Sequence, residues 1–109
     1  MRLENPSPGV IDWSQVPTSV SRGKSGEATA RTRQCGEIQL RMVDYSSDYV
    51  ADHWCSKGHV VFVISGELVI EHQDGCRYNL KRGMSYQVAD DGPPHRVLSD
   101  AGATIFIVD

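Results

Sequence analysis

The sequence predicts an all-β antiparallel fold, closed into a barrel or doubled into two sheets as in a jelly roll, on three observations. Short apolar runs of strand length follow one another through most of the chain, as at residues 60–64 and 104–108. Turn signals recur at intervals of about ten residues, the spacing of a β-sandwich or barrel. No window carries a helical period.

Taken in order, residues 1–27 hold prolines at 6, 8 and 17 among Ser and Gly clusters, and are expected to be irregular. Trp13 and Val16 are the apolar pegs that would dock this segment on the body of the domain. The barrel domain is expected over residues 28–109. Residues 28–34 alternate poorly, whereas Ile38, Leu40 and Met42 alternate with Gln39, Arg41 and Val43 and read as a strand, with Arg41 a surface residue. Cys35-Gly36 and Tyr45-Ser46-Ser47-Asp48 read as turns. Further on, Ser65-Gly66-Glu67 separates strands 60–64 and 68–72, and Gln73-Asp74-Gly75 separates the latter from 76–80. Lys81-Arg82-Gly83 precedes 85–89, a Pro/Gly-rich loop at 90–94 precedes 95–99, and Asp100-Ala101-Gly102 leads to 104–108. About eight short strands result.

At 109 residues the chain has room for one domain with a modest core. A net charge of -3 offers phosphate no attraction, so nucleic acid is excluded as an expected partner. No apolar run approaches a membrane span, and the start of the chain lacks the apolar stretch of a secretion signal, so the expectation is a soluble, cytoplasmic protein. Cys35, Cys55 and Cys76 are an odd number at wide spacing, which suits reduced thiols rather than disulfides or a Cys-x-x-Cys zinc finger. No nucleophile elbow and no phosphate-cradling glycine loop is present.

One stretch carries chemistry. Asp52-His53-Trp54-Cys55-Ser56-Lys57-Gly58-His59 packs three metal-ligand residue types into seven positions. With His53 and Cys55 on one extended strand, their side chains share a face, and a turn at Ser56-Lys57-Gly58 brings His59 back beside them. Three such donors converging is how a transition metal is held. Trp54, of opposite parity, would then face away, toward the N-terminal segment or a subunit interface. Asp52 would point to the opposite face from His53, and His72, among charged neighbours at a hairpin end, reads as a solvated turn residue.

These residues resemble the first motif of the cupins, small jelly-roll barrels of the double-stranded β-helix type, whose pattern is Gly-x5-His-x-His-x3,4-Glu-x6-Gly. His53 falls on the first histidine, Cys55 on the second, His59 on the glutamate and Gly66 on the closing glycine, with Ser47 in place of the opening one. Gly92-Pro93-Pro94-His95 matches the Gly-x2-His of the second motif, while Asp90 and Ser99 replace its proline and asparagine. The resemblance covers roughly residues 36–109 and is nearest to small single-domain cupins with an Asp-His-x-Cys first motif. It implies a barrel with a divalent metal near one end, held by His53, Cys55, His59 and His95, and a small-molecule ligand, without implying a substrate.

Three histidines and a thiolate suit tetrahedral zinc, which would be closed; three histidines with Cys55 turned away suit iron(II); six-coordinate iron, nickel or manganese would keep two positions open. Two functions follow from such a site: a metal-dependent enzyme of dioxygenase or isomerase type, or a non-catalytic ligand- or metal-sensing module. A homodimer is expected by analogy with the fold.

Overall fold

The computed structural model describes residues 6–109, and residues 1–5 lie outside this account. Nine strands follow a one-turn 3-10 helix at Trp13–Gln15. They are β1 (Ser19–Arg22), β2 (Glu27–Cys35), β3 (Ile38–Tyr45), β4 (Tyr49–Val50), β5 (His59–His72), β6 (Arg77–Lys81), β7 (Ser85–Val88), β8 (His95–Ser99) and β9 (Ala103–Val108). All pairings are antiparallel. The all-β expectation holds, and the strand at 95–99 has its expected limits.

Two departures matter. The segment expected to be irregular contains β1, which pairs with β2 from Ser19↔Ala30 to Arg22↔Glu27. Its pegs are present: Val16 is buried, and Trp13 meets Phe106 edge-on at 6.2 Å between ring centroids. The second departure is larger. Ser65-Gly66-Glu67 is not a turn, because β5 runs unbroken for 14 residues through it. Gly66 adopts φ +79, and the register against β9 shifts between Val63 and Ser65, so the stretch is a bulge that bends the strand without ending it. A Cβ at Gly66 would strike the carbonyl oxygen of Gly102, so glycine is required for both conformation and space.

The bent β5 belongs to two sheets. Its first half lies between β9 and β7, in the order β1-β2-β3-β9-β5-β7; its second half lies between β8 and β6, in the order β4-β8-β5-β6. The two sheets face each other around one core in which Val63, Leu68, Ile70 and Ile105 are almost wholly buried. Strand parity decides what enters it: 59, 61 and 63 point in from the first half of β5, and 68, 70 and 72 from the second.

The same parity corrects the reading of Arg41. It pairs with Ile107 across the ladder and turns inward, where Nη2 donates to Asp109 Oδ2 at 2.9 Å. Its long stem shares the inner face with Val43, and the carboxylate that makes this tolerable arrives from 68 residues away.

Candidate functional site

His59 opens β5 and His95 opens β8, and both are inward positions at the same end of the barrel. Their Nε2 atoms lie 2.9 Å apart, with the rings nearly perpendicular. His95 is held on its other side by Pro93, and at 2.9 Å its Nδ1–H donates to the Pro93 carbonyl oxygen. That bond leaves the His95 Nε2 lone pair facing His59. Cys55 is fastened to the same strand end, with its backbone bonded in both directions to His95, at 2.7 and 2.9 Å.

Behind His59 stands Asp109, its carboxylate almost fully buried and Oδ2 3.8 Å from His59 Nδ1. His59 Nδ1 and Asp109 Oδ1 are both buried without a hydrogen-bond partner. Burial, then the neighbouring His95, hold the His59 imidazolium down to about pKa 4, so the ring is neutral at physiological pH. For two neutral rings, contact at 2.9 Å requires His59 Nε2–H to donate to His95, which leaves a lone pair on His59 Nδ1 turned toward a carboxylate.

The interior polar cluster extends beyond the expected residues. His72, read from the sequence as a solvated turn residue, is buried. It closes β5 directly opposite His95 in the ladder, and its Nε2 is 2.7 Å from the hydroxyl of Tyr86 on β7. Burial, then Tyr78, raise the Tyr86 phenol, which therefore stays protonated, and its hydroxyl shares this hydrogen bond with His72. This bond crosses the barrel from one sheet to the other. The ring centroid of His95 is 6.4 Å from that of His72 and 6.0 Å from that of Tyr86. The signal for His72 was its parity with Leu68 and Ile70, which is visible only once 68–72 is counted from the core outward.

Of the four expected ligands, His59 and His95 come together, with Cys55 beside them through its backbone. His53 does not join them. Residues 52 and 53 form a bend rather than a strand, and the His53 side chain is 80% exposed with Nδ1 2.6 Å from Asp52 Oδ1. The expectation that Asp52 and His53 face apart is thus corrected, since a bend removes the alternation that a strand would impose. Trp54 carries the Arg96 guanidinium over its ring at 4.5 Å. The Cys55 sulfur accepts from the Lys57 backbone N–H at 3.4 Å. Among the described residues, no three His, Cys, Asp or Glu side chains are gathered as a metal cage.

A groove of about 850 Å³ opens against this end of the barrel, a size that suits a small molecule. Its walls include His59 and Asp109 but not His95, His72 or Tyr86, and it takes in Gln39, Lys57, Gln87 and Asp90. Gly58 N donates to Asp90 Oδ1 at 2.8 Å, which pins the loop before His59 to the loop before β8.

With this geometry described, comparison with known proteins identifies the architecture. No family model matches the chain, and no curated protein does. Solved structures do. A cupin-2 domain protein from Shewanella frigidimarina superposes with a TM-score of 0.59 at 20% identity, covering 82% of this chain and 82% of that one. A predicted oxalate decarboxylase from Thermotoga maritima gives 0.77 at 13% identity, over 92% and 96%. The polyketide cyclase RemF from Streptomyces resistomycificus gives 0.76 at 17% identity, over 94% and 78%. The protein is an antiparallel β-barrel with the cupin fold, the jelly roll expected from its two motifs. Enzymes are built on this barrel. No described helix is long and apolar enough to cross a membrane.

Proposed function

We propose that the barrel is a metal-dependent enzyme acting on a small organic molecule, with His59 and His95 as the core of the metal site and Cys55 adjoining it, while His53, turned to solvent, would have to swing in from the bend at 52–53 to join them. The observation that carries this reading is the pair of inward Nε2 atoms, with Pro93 O bonded to His95 Nδ1 and the buried Asp109 carboxylate 3.8 Å behind His59 Nδ1. A ligating imidazole typically donates its outer N–H to a carbonyl or carboxylate.

The unpartnered His59 Nδ1 supports the same reading. A cation held by both Nε2 lone pairs would put the His59 proton on Nδ1, turned toward the buried Asp109 carboxylate rather than leaving a buried lone pair facing it. A proton between the rings serves less well, because burial disfavours the imidazolium. Zinc or iron(II) suits these donors best, with nickel or manganese also compatible. When bound, the metal would supply Lewis acidity or a site for dioxygen. The chain's own residues bind and orient: the groove beside His59 admits the molecule, and the His72–Tyr86 pair braces the interior side of His95.

Calorimetric titration of chelator-stripped protein with zinc or nickel tests the proposal. One ion per chain is expected, with His59→Ala and His95→Ala each weakening it at least about 100-fold, the scale of losing a principal ligand, since partners one shell out already account for tenfold to 100-fold. Wild-type affinity in both variants would reject the site. Cobalt substitution separates Cys55 from the histidines, because a ligating thiolate gives a charge-transfer band that Cys55→Ser abolishes. Retention of that metal with no exchangeable water on it would instead favour the sensing module.

A further inference from the structure

We infer that, on the metal reading proposed above, Arg41 is a positioning residue for the His59 imidazole and acts through the Asp109 carboxylate. Among the described residues, the buried side-chain nitrogen and oxygen atoms without a hydrogen-bond partner are Arg41 Nε, His59 Nδ1 and Asp109 Oδ1. All three belong to one group of side chains in mutual contact. Other buried polar side chains are satisfied, as Ser99 is by the Glu67 carbonyl oxygen at 2.7 Å and His95 by that of Pro93. A deficit confined to one place has a local reason.

Stability does not supply that reason. A buried ion pair at best breaks even against well-packed apolar side chains, and only when its remaining donors and acceptors are bonded. Here Arg41 Nη2 makes a single bond to Asp109 Oδ2 at 2.9 Å, where a guanidinium and a carboxylate can make two, and its inner-face neighbours Val43 and Ile107 are buried and apolar. What the pair does secure is the place of the carboxylate. β3 holds Asp109 twice, by backbone bonds in both directions at Gln39 and by the Arg41 side chain two residues further on. The oxygen so held, Oδ2, is the one 3.8 Å from His59 Nδ1. Lys57 Nζ is equally far from it, but that side chain is 57% exposed and screened by solvent, so the contact that fixes Oδ2 is the one from Arg41. Once His59 Nε2 is given to a cation, the ring proton sits on Nδ1 and needs a buried acceptor, and Oδ2 is the acceptor at hand. Arg41 keeps it there and balances its charge.

The double variant Arg41→Met, Asp109→Leu of the full chain tests this, because it removes both charges and leaves no buried ion alone. Its denaturation midpoint should match or exceed that of the wild type, while its zinc affinity by calorimetric titration should fall about tenfold to 100-fold, the range for outer partners of a ligating imidazole. In the zinc-loaded wild type, His59 Nδ1–H should give a slowly exchanging downfield proton resonance that the double variant lacks. Asp109→Asn keeps the size of the side chain and an acceptor for Arg41, so it is the milder variant should the double one not fold, and it should lose about tenfold in zinc affinity. Wild-type affinity in either variant, with or without a loss of stability, marks a merely structural pair and overturns the inference while the metal site stands. A wild-type chain that takes up no zinc overturns the metal reading, and the role of Arg41 with it.

Discussion

The two halves of β5 have opposite outer surfaces. Before the bulge, Val60, Phe62 and Ile64 face outward from an apolar sheet; after it, Glu67, Val69 and Glu71 face outward from a charged one. Glu71 is bonded on both sides, from Arg77 Nε at 2.7 Å and from Arg96 Nε at 3.0 Å, and Arg96 in turn covers Trp54. The second sheet therefore finishes its own surface with ion pairs and a cation over an aromatic ring. The first sheet does not, although the same strand builds it. An apolar outer face on one sheet and a self-satisfied polar face on the other is what a barrel needs if only one side is to be covered by another molecule.

The inner surfaces differ as well. The first half of β5 directs His59 to the open end beside the groove, whereas the second half directs His72 into a closed hydrogen bond with Tyr86. Access distinguishes the two imidazoles more than chemistry does. That difference suits His59 to ligand binding and His72 to bracing the barrel interior behind His95 in the proposed site.

The bulge joins the two halves, so breaking it should have the largest effect. Gly66→Ala forces a Cβ into a positive-φ position and against the Gly102 carbonyl, and should cost about 2–3 kcal/mol or more, measured by chemical denaturation. Loss of stability below 1 kcal/mol would mean that the two halves are not held by that bend. Next comes the bond that crosses between the sheets. Tyr86→Phe leaves the buried His72 Nε2 without its hydrogen-bond partner and should cost about 1–2 kcal/mol while preserving the fold. The smallest effect is expected on the charged face, where Glu71→Gln should cost about 0.5 kcal/mol, since both arginines stay partly solvated. That loss should shrink as salt is added, and a salt-independent loss would show that the pair is buried more deeply than its geometry indicates.

Much of the fold was legible because its signals are local. Asp74-Gly75 and Gly83 terminate strands where turn chemistry predicts, and residues 95–99 form the strand expected between the Pro/Gly-rich loop and Asp100-Ala101-Gly102. Gly66 was misread because a glycine flanked by serine and glutamate looks the same whether a strand turns back or bulges. The difference lies in β9, which continues to pair on both sides of the irregularity, at Val63↔Ile105 and at Gly66↔Ala103. For the site, motif spacing grouped His59, His95 and Cys55, and in the structure His59 meets His95 through the rings while Cys55 meets His95 through the backbone. It also assigned His53 the inward place next to them, which the bend at residues 52–53 denies it, and it left out His72 and Asp109.

Parity within a run, turn residues and the periodic return of apolar side chains act over a few residues, and the chain alone determined that it would be an antiparallel barrel with imidazoles at one end. Which imidazoles meet was decided by tertiary structure. Asp109 reaches Arg41 across 68 residues and His95 reaches His59 across 36, and both contacts exist because two sheets close on each other. Burial there makes each unpartnered nitrogen or carboxylate oxygen costly, a constraint that applies only after water has been excluded.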